Sequence, residues 1–387
     1  MTSPFSTWRR VPNRPDDWFS VDELTRSRDY QRPLTRLKVI RGAVTAVTIG
    51  LFILVEAGPR LIDWVGATNW VVQLLVVIVA LELISLVYNP ILDWWVDLVH
   101  DKRWGLSNQT PRGFVADQVK SLALGIVMYL ILLVPLYALI RGTDLWWVWG
   151  WLLLVGFSVG LGFVYPIVIA PIFNTFTPLD DDDLEARIAD IADRAGVGIE
   201  GAYVADESRR STRDNAYVAG LGATRRVVLF DTILEHPPEV VAQVVAHEVG
   251  HWRLHHLRRQ IPLAAGLALA MMLALRALSE WDGLWSWAGM TGLGDPASLP
   301  ILLVAIQLGF GAMGVVSSLV SRAFERQADV QALELLDDPD RMQDMIRRLH
   351  VKNLSDLDPG VFKRLQASHP PAAERMALVD AWVGARN

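Results

Sequence analysis

Six predominantly apolar stretches set the layout of the chain: 39–58, 70–90, 121–140, 145–172, 261–279 and 299–320. Each approaches the length of about 20 residues that a helix needs to cross a bilayer. The third and fourth carry no charged residue. Arg276 leaves the fifth weakest on its own, where a buried soluble helix competes, and its pairing with the sixth favours insertion. Between and around the spans lie polar segments: the first 38 residues, an insert at 173–260 and a tail at 321–387. In the insert, 184–195 has the period of an amphipathic helix, with Asp180 to Asp183 at its start, where carboxylates suit the positive end of the helix dipole. That acidic run lacks the alternating spacing of a calcium loop and reads as a solvated cap. The apolar runs 201–204, 217–220 and Arg226–Phe230 read as short strands. The predicted fold is mainly α, a multi-span α-helical integral membrane protein. Four spans lie within 39–172 and two within 261–320, and a small α+β domain with a β-sheet is assembled from 173–260 and 321–387.

Charge adds an orientation. Arg26, Arg28, Arg32, Arg36 and Lys38 precede the first span, and Lys102, Arg103, Arg112 and Lys120 separate the second from the third. The alternate loops, 59–69 and 280–298, hold only Arg60. Positive charge marks the cytoplasmic side, so the 1–38 segment, both termini and the α+β domain are expected in the cytoplasm. Composition agrees with a membrane: 52% of residues are hydrophobic, more than a soluble enzyme of this size needs for its core. Several of the 16 Trp, such as Trp146, Trp147, Trp149 and Trp151, flank apolar runs where rings anchor at headgroups. The arginine-rich start lacks the apolar core and cleavage site of a signal peptide. A net charge of -6 without a basic stripe argues against nucleic acid. With no cysteine, thiol chemistry and cysteine-ligated zinc are excluded.

The chemistry centres on Val245-Ala-His-Glu-Val-Gly-His-Trp252, an HExxH sequence closing an apolar helical run that starts near Val240. On a helix, His247 and His251 lie one turn apart on one face, about 6 Å along the axis, and can converge on one tetrahedral zinc. Glu248 stands beside them as a general base able to take a proton from metal-activated water and deliver it to a leaving amine. Four of the 8 histidines (247, 251, 255 and 256) fall within ten residues, a concentration that a purely structural helix does not require.

A catalytic zinc needs a third protein ligand. After the sixth span comes Ser321-Arg-Ala-Phe-Glu-Arg-Gln-Ala-Asp329, with Glu325 and Asp329 at i and i+4 on one helical face. Glu325 is the candidate ligand, and Asp329 is placed to hold the second nitrogen of a ligating histidine. A solvated charged face is the competing reading. His255 is the rival ligand, ranked lower because three successive helical turns span about 12 Å, too far for one ion. Further on, Ser368-His-Pro-Pro-Ala-Ala-Glu-Arg375 offers His369 and Arg375 as oxyanion stabilisers, although such residues are more often simply surface ones.

Together these features resemble the type I CAAX prenyl proteases, integral-membrane zinc metallopeptidases. The resemblance covers most of the chain. It rests on Ile169-Ala-Pro-Ile-Phe-Asn-Thr-Phe-Thr-Pro-Leu179, Ser208-Arg-Arg-Ser211 leading to Asn215-Ala-Tyr-Val-Ala-Gly220, Phe230-Asp-Thr-Ile-Leu234, HEVGHW, the Glu325 and Asp329 pair, and His369-Pro-Pro with Arg375. It implies a zincin-like endopeptidase with one Zn2+ per chain, Glu325 as third ligand, and His369 and Arg375 on the scissile peptide. It also implies an edge strand at 215–220, through Asn215, Ala216 and Tyr217, that binds an extended peptide by strand addition. The implied substrates are peptides or proteins, lipidated ones among them, presented from the bilayer. Two departures stand out: six spans here against seven in the eukaryotic members, whose helices enclose a large chamber, and Arg213 where the family pattern has a histidine.

Two other readings compete. Intramembrane site-2 proteases also use HExxH but take an aspartate ligand from a later span, and spans five and six here contain none. A zinc-holding scaffold or metal transporter is the non-enzyme reading. Only Arg41, Glu56, Glu82 and Arg276 are charged within spans and they form no ligand set for transport, and a scaffold has no use for Glu248.

Overall fold

In a computed structural model, which describes residues 11–220 and 225–386, the chain begins with a helix that starts well ahead of its apolar stretch. The first ten residues of the expected 1–38 segment lie outside the described residues. Ser20 caps Val21–Leu54 through a reciprocal pair, Glu23 N–H to Ser20 Oγ at 3.2 Å and Ser20 N–H to Glu23 Oε2 at 2.8 Å. The helix ends at Leu54, short of the expected limit at 58, because Glu56 adopts a left-handed conformation (φ 51°) that turns the chain into the short helix Ala57–Val65. Glu56 is therefore a junction residue and not a charge within a span.

Six helices among the described residues are long and apolar enough to cross a membrane, within Val21–Leu54, Trp70–Arg103, Pro111–Gly142, Trp146–Phe173, His256–Ser279 and Pro296–Leu336. Their outer faces expose side chains such as Val87, Ile91, Leu308 and Phe310, as lipid-facing helices do. Their inner faces pack Leu74, Val77, Tyr137, Leu275 and Leu302 into one core. Arg276 sits in the last turn of its helix and pairs with Glu280 at 2.7 Å, so its charge is met at the helix end. The Trp70–Trp94 helix runs on through a π-helical turn, Trp95–His100, into Asp101–Arg103.

The α+β part holds a four-stranded sheet in the order β1-β2-β4-β3, from β1 (Phe176–Pro178), β2 (Gly201–Ala205), β3 (Ala216–Ala219) and β4 (Arg226–Phe230). β2 and β4 are parallel, the other pairs antiparallel, and β3 lies at one edge. The amphipathic helix Asp182–Ala195, capped by Asp181, buries Ile188 and Ile191 against the HEVGH helix, Pro238–Arg253. That core extends to Leu229, Val245, Leu333 and Trp382.

The boundaries expected at 260/261 and 320/321 both fall inside continuous helices, His256–Ser279 and Leu299–Leu336. Membrane and peptidase parts are thus joined by rigid rods. The 38-residue helix Leu299–Leu336 carries Glu325 directly out of its apolar section.

Candidate metal centre

The HEVGH helix and Leu299–Leu336 cross closely at Gly250, where a Cβ would come within 3.3 Å of the Ala328 carbonyl oxygen. A glycine here lets two backbones approach and brings Glu325 up to the histidines. His247 Nε2 and His251 Nε2 lie 3.3 Å apart, and Glu325 reaches them at 3.3 Å (Oε2 to His247) and 3.4 Å (Oε1 to His251). Glu325 Oε2 is buried with no hydrogen-bond partner among the described residues.

This arrangement fits a metal ion. A tetrahedral centre with bonds of about 2.0–2.1 Å has ligand atoms about 3.3–3.4 Å apart, the spacing seen between the two imidazole nitrogens and from each of them to one oxygen of the Glu325 carboxylate. His247 lies between two carboxylates, with Nδ1 2.8 Å from Asp329 Oδ1. Burial disfavours its imidazolium, yet Asp329 and Glu325 outweigh burial and push its pKa up to about 10. Two carboxylates on one buried ring call for a positive charge between them, a proton or a metal cation. His251 moves the other way, down to about 3, through burial and the neighbouring His247. Glu248 is pushed up to about 7, chiefly by burial, which puts this carboxyl in the range useful to a general base near neutral pH.

Other predicted residues take different places. Asp329 is fully buried, and Arg375 grips it through Nε (2.9 Å) and Nη2 (2.6 Å). Arg375, expected on the scissile peptide, is itself buried, with these two nitrogens turned to Asp329. His369 faces the centre from its open side, with an exposed side chain and Nε2 3.4 Å from Glu325 Oε2. His255 stands outside the ligand cluster: it is exposed, left-handed (φ 55°), and its Nδ1 meets the Trp252 carbonyl at 3.1 Å. Arg213 pairs with Asp101 at 2.8 Å and with the Tyr30 hydroxyl, tying the start of β3 to two membrane helices.

Asn215 heads β3, and the bond from Phe230 N–H to its carbonyl (3.0 Å) fixes the strand's parity. Backbone groups of antiparallel pairs alternate, so Tyr217 and Ala219 turn theirs to β4 while Ala216 and Val218 face outward. Ala216 N–H is taken by the Asn215 side chain at 3.0 Å. The backbone of Tyr217, expected among the peptide-binding groups, is thus engaged within the sheet, and Val218 was missed. A sequence gives residue alternation along a strand but not which alternate faces the neighbour.

A family model described as peptidase family M48 matches residues 178–383. The chain belongs to peptidase family M48. Residues 5–175 match a model described as the CAAX prenyl protease N-terminal region with five membrane helices. Four spans fall there among the described residues, with the short Ala57–Val65 helix beside them. An uncharacterized metalloprotease of Bacillus subtilis, YhfN, is 31% identical over 76% of this chain and 70% of its own length. CAAX prenyl protease 1 of Saccharomyces cerevisiae is 27% identical over 96% of this chain and 88% of its own. The crystal structure of Ste24p from S. mikatae shares the fold, with a TM-score of 0.83 at 24% identity over 97% of this chain and 93% of that one. This M48 member is a membrane-embedded metalloprotease that acts on peptide or protein substrates.

Proposed function

We propose that this M48 protease is a zinc endopeptidase holding one Zn2+ on His247, His251 and Glu325, with its active site on the cytoplasmic side. The observation that carries the reading is the convergence of two imidazole nitrogens 3.3 Å apart on the Glu325 carboxylate, whose two oxygens lie 3.3 and 3.4 Å from them. Two imidazoles and a carboxylate are a common donor set for catalytic zinc. Zinc held there supplies Lewis acidity toward a peptide carbonyl and toward water. Glu248 takes the proton of the attacking water on its carboxylate and passes it to the departing amine. His369, on the open side, donates a hydrogen bond to the oxygen that gains charge. Asp329 holds His247 in orientation, and Arg375 serves as the counter-ion of Asp329.

The substrate lies along β3 as an added strand, against the outward carbonyl of Ala216 and the outward N–H and carbonyl of Val218, with Asn215 at the head of the strand. Prenylated C-terminal peptides are the class suggested by the names of its relatives. Sidedness is supported by contacts: Tyr30 and Asp101, in the segments rich in Arg and Lys, bind Arg213 at the head of β3. The positive face and the catalytic face therefore coincide.

Purified protein in detergent is expected to hold one zinc per chain and to cleave members of a fluorogenic peptide library, with cleavage lost on chelation and restored by zinc. Zinc without cleavage of any peptide would favour a metal-holding scaffold. Replacing Val218 by Pro removes an outward N–H without touching the ladder to β4. We expect KM to rise about three- to tenfold, the worth of one hydrogen bond, with zinc content unchanged. An unaltered KM would move the peptide off this edge.

A further inference from the structure

The two histidines of the centre are held differently. His247 has a carboxylate behind it, Asp329 at 2.8 Å. His251 has another histidine: its Nδ1 lies 3.0 Å from His256 Nδ1, and His256 Nε2 lies 3.3 Å from Gln327 Oε1. His256 is 2% exposed and stacks on Phe324, with ring centroids 4.3 Å apart and planes 7° apart. Such burial of an imidazole calls for partners on both nitrogens.

We propose that His256 is a positioning residue for the ligand His251, in a relay that runs from the metal through two imidazoles to Gln327. The inference rests on the metallopeptidase reading above and deepens it. A ligating imidazole is neutral and offers the metal a lone pair, here on His251 Nε2, which faces His247 and Glu325. The ring proton of His251 then sits on Nδ1. His256 Nδ1 must be bare to accept it, so His256 carries its own proton on Nε2, facing the Gln327 oxygen. Arg259 Nη1 lies 3.4 Å from the same oxygen, which orients the amide with its carbonyl toward both donors. With His251 Nε2 bare for the metal, this is the assignment in which both ring protons of the relay meet an acceptor.

The backbone is bent to make the contact. In an uninterrupted helix, residue 256 would point about 140° away from residue 251, at 100° per residue. His255 breaks the helix with a left-handed conformation, and a new helix starts at His256, which brings that ring beneath His251. A non-glycine residue held at positive φ next to an active site is strain retained for a purpose. The neutral imidazole orients His251 without adding a third carboxylate to a cluster that already holds Glu325 and Asp329.

The test is zinc affinity of the full chain in detergent, by competition with a chelator of known strength. His256→Phe keeps an aromatic ring on Phe324 but has no acceptor, whereas His256→Asn places an oxygen near the position of Nδ1 but loses the stack. Support for the histidine in metal binding is generally worth about 10- to 100-fold, so the Phe variant is expected to weaken zinc binding by that factor and the Asn variant by less than about threefold. Gln327→Leu, at a half-buried position, weakens binding in the same direction and decides the matter if the Phe variant does not fold. Phe binding as tightly as wild type, or Asn falling as far as Phe, would overturn the proposal, since a packing role predicts the second. A wild type that binds no zinc overturns the metallopeptidase reading itself, and this inference with it.

Discussion

Glu248→Gln is expected to keep its zinc and lose about 10³- to 10⁴-fold in kcat/KM, at the upper end of what general acid-base catalysis supplies. The two halves of the result come from different features. The ligand atoms belong to His247, His251 and Glu325, and Glu248 is not among them, so an amide there leaves the donor set intact. The substitution conserves shape in a half-buried helical position, which keeps the HEVGH helix packed. What it removes is a carboxyl that burial holds near neutrality, able to accept a proton and give it back in the same cycle. Metal content and kcat/KM measured on one preparation check both halves. Loss of zinc would make Glu248 a structural residue of the centre, and retention of a tenth or more of the activity would place the general base elsewhere.

Much of the centre was legible in the sequence because its geometry is local. His247 and His251 share a helical face at i and i+4, as do Glu325 and Asp329, and a helix turns that spacing into direction. Span positions were legible from apolar length alone. Helix ends were not. At Glu56, just past Leu54, and at His255 the chain breaks at non-glycine residues with positive φ, and nothing in their type announces it. Conversely, composition turns polar at Ser321 while the backbone ladder runs on unbroken to Leu336, so an apparent domain boundary is the middle of a helix. The parity of β3 depends on a single tertiary bond, Phe230 N–H to the Asn215 carbonyl. The HEVGH helix and Glu325 lie far apart in sequence, and it is Gly250 that lets their helices close. The i, i+4 carboxylate pair after the sixth span nominated Glu325 and the family resemblance implied the same ligand, whereas the tertiary contacts of Arg375 and His256 had no local signal beyond their residue types.

Arg375→Met is expected to destabilise the protein by about 3–5 kcal/mol, the usual result of stripping one partner from a buried ion pair. Asp329 is fully buried, and the Arg375 fork meets both its oxygens, at 2.6 and 2.9 Å. Methionine fills similar length without the charge and leaves the carboxylate with His247 alone. A lowered denaturant midpoint for the peptidase part, measured at fixed zinc, reads this out. The result separates two roles for Arg375. A residue that touches the scissile peptide would lower kcat/KM more than about 100-fold with the midpoint unmoved, as loss of a transition-state donor does. A counter-ion lowers the midpoint first, and activity falls with the orientation of His247. Removing both charges, in Asp329→Leu with Arg375→Met, sharpens the distinction. Stability should return in part, because no unpaired charge stays buried. Zinc affinity should still be down about 10- to 100-fold, because His247 has lost the carboxylate that aims it. Recovery of both stability and zinc affinity would mean that the pair serves packing alone, and that His247 reaches the metal without it.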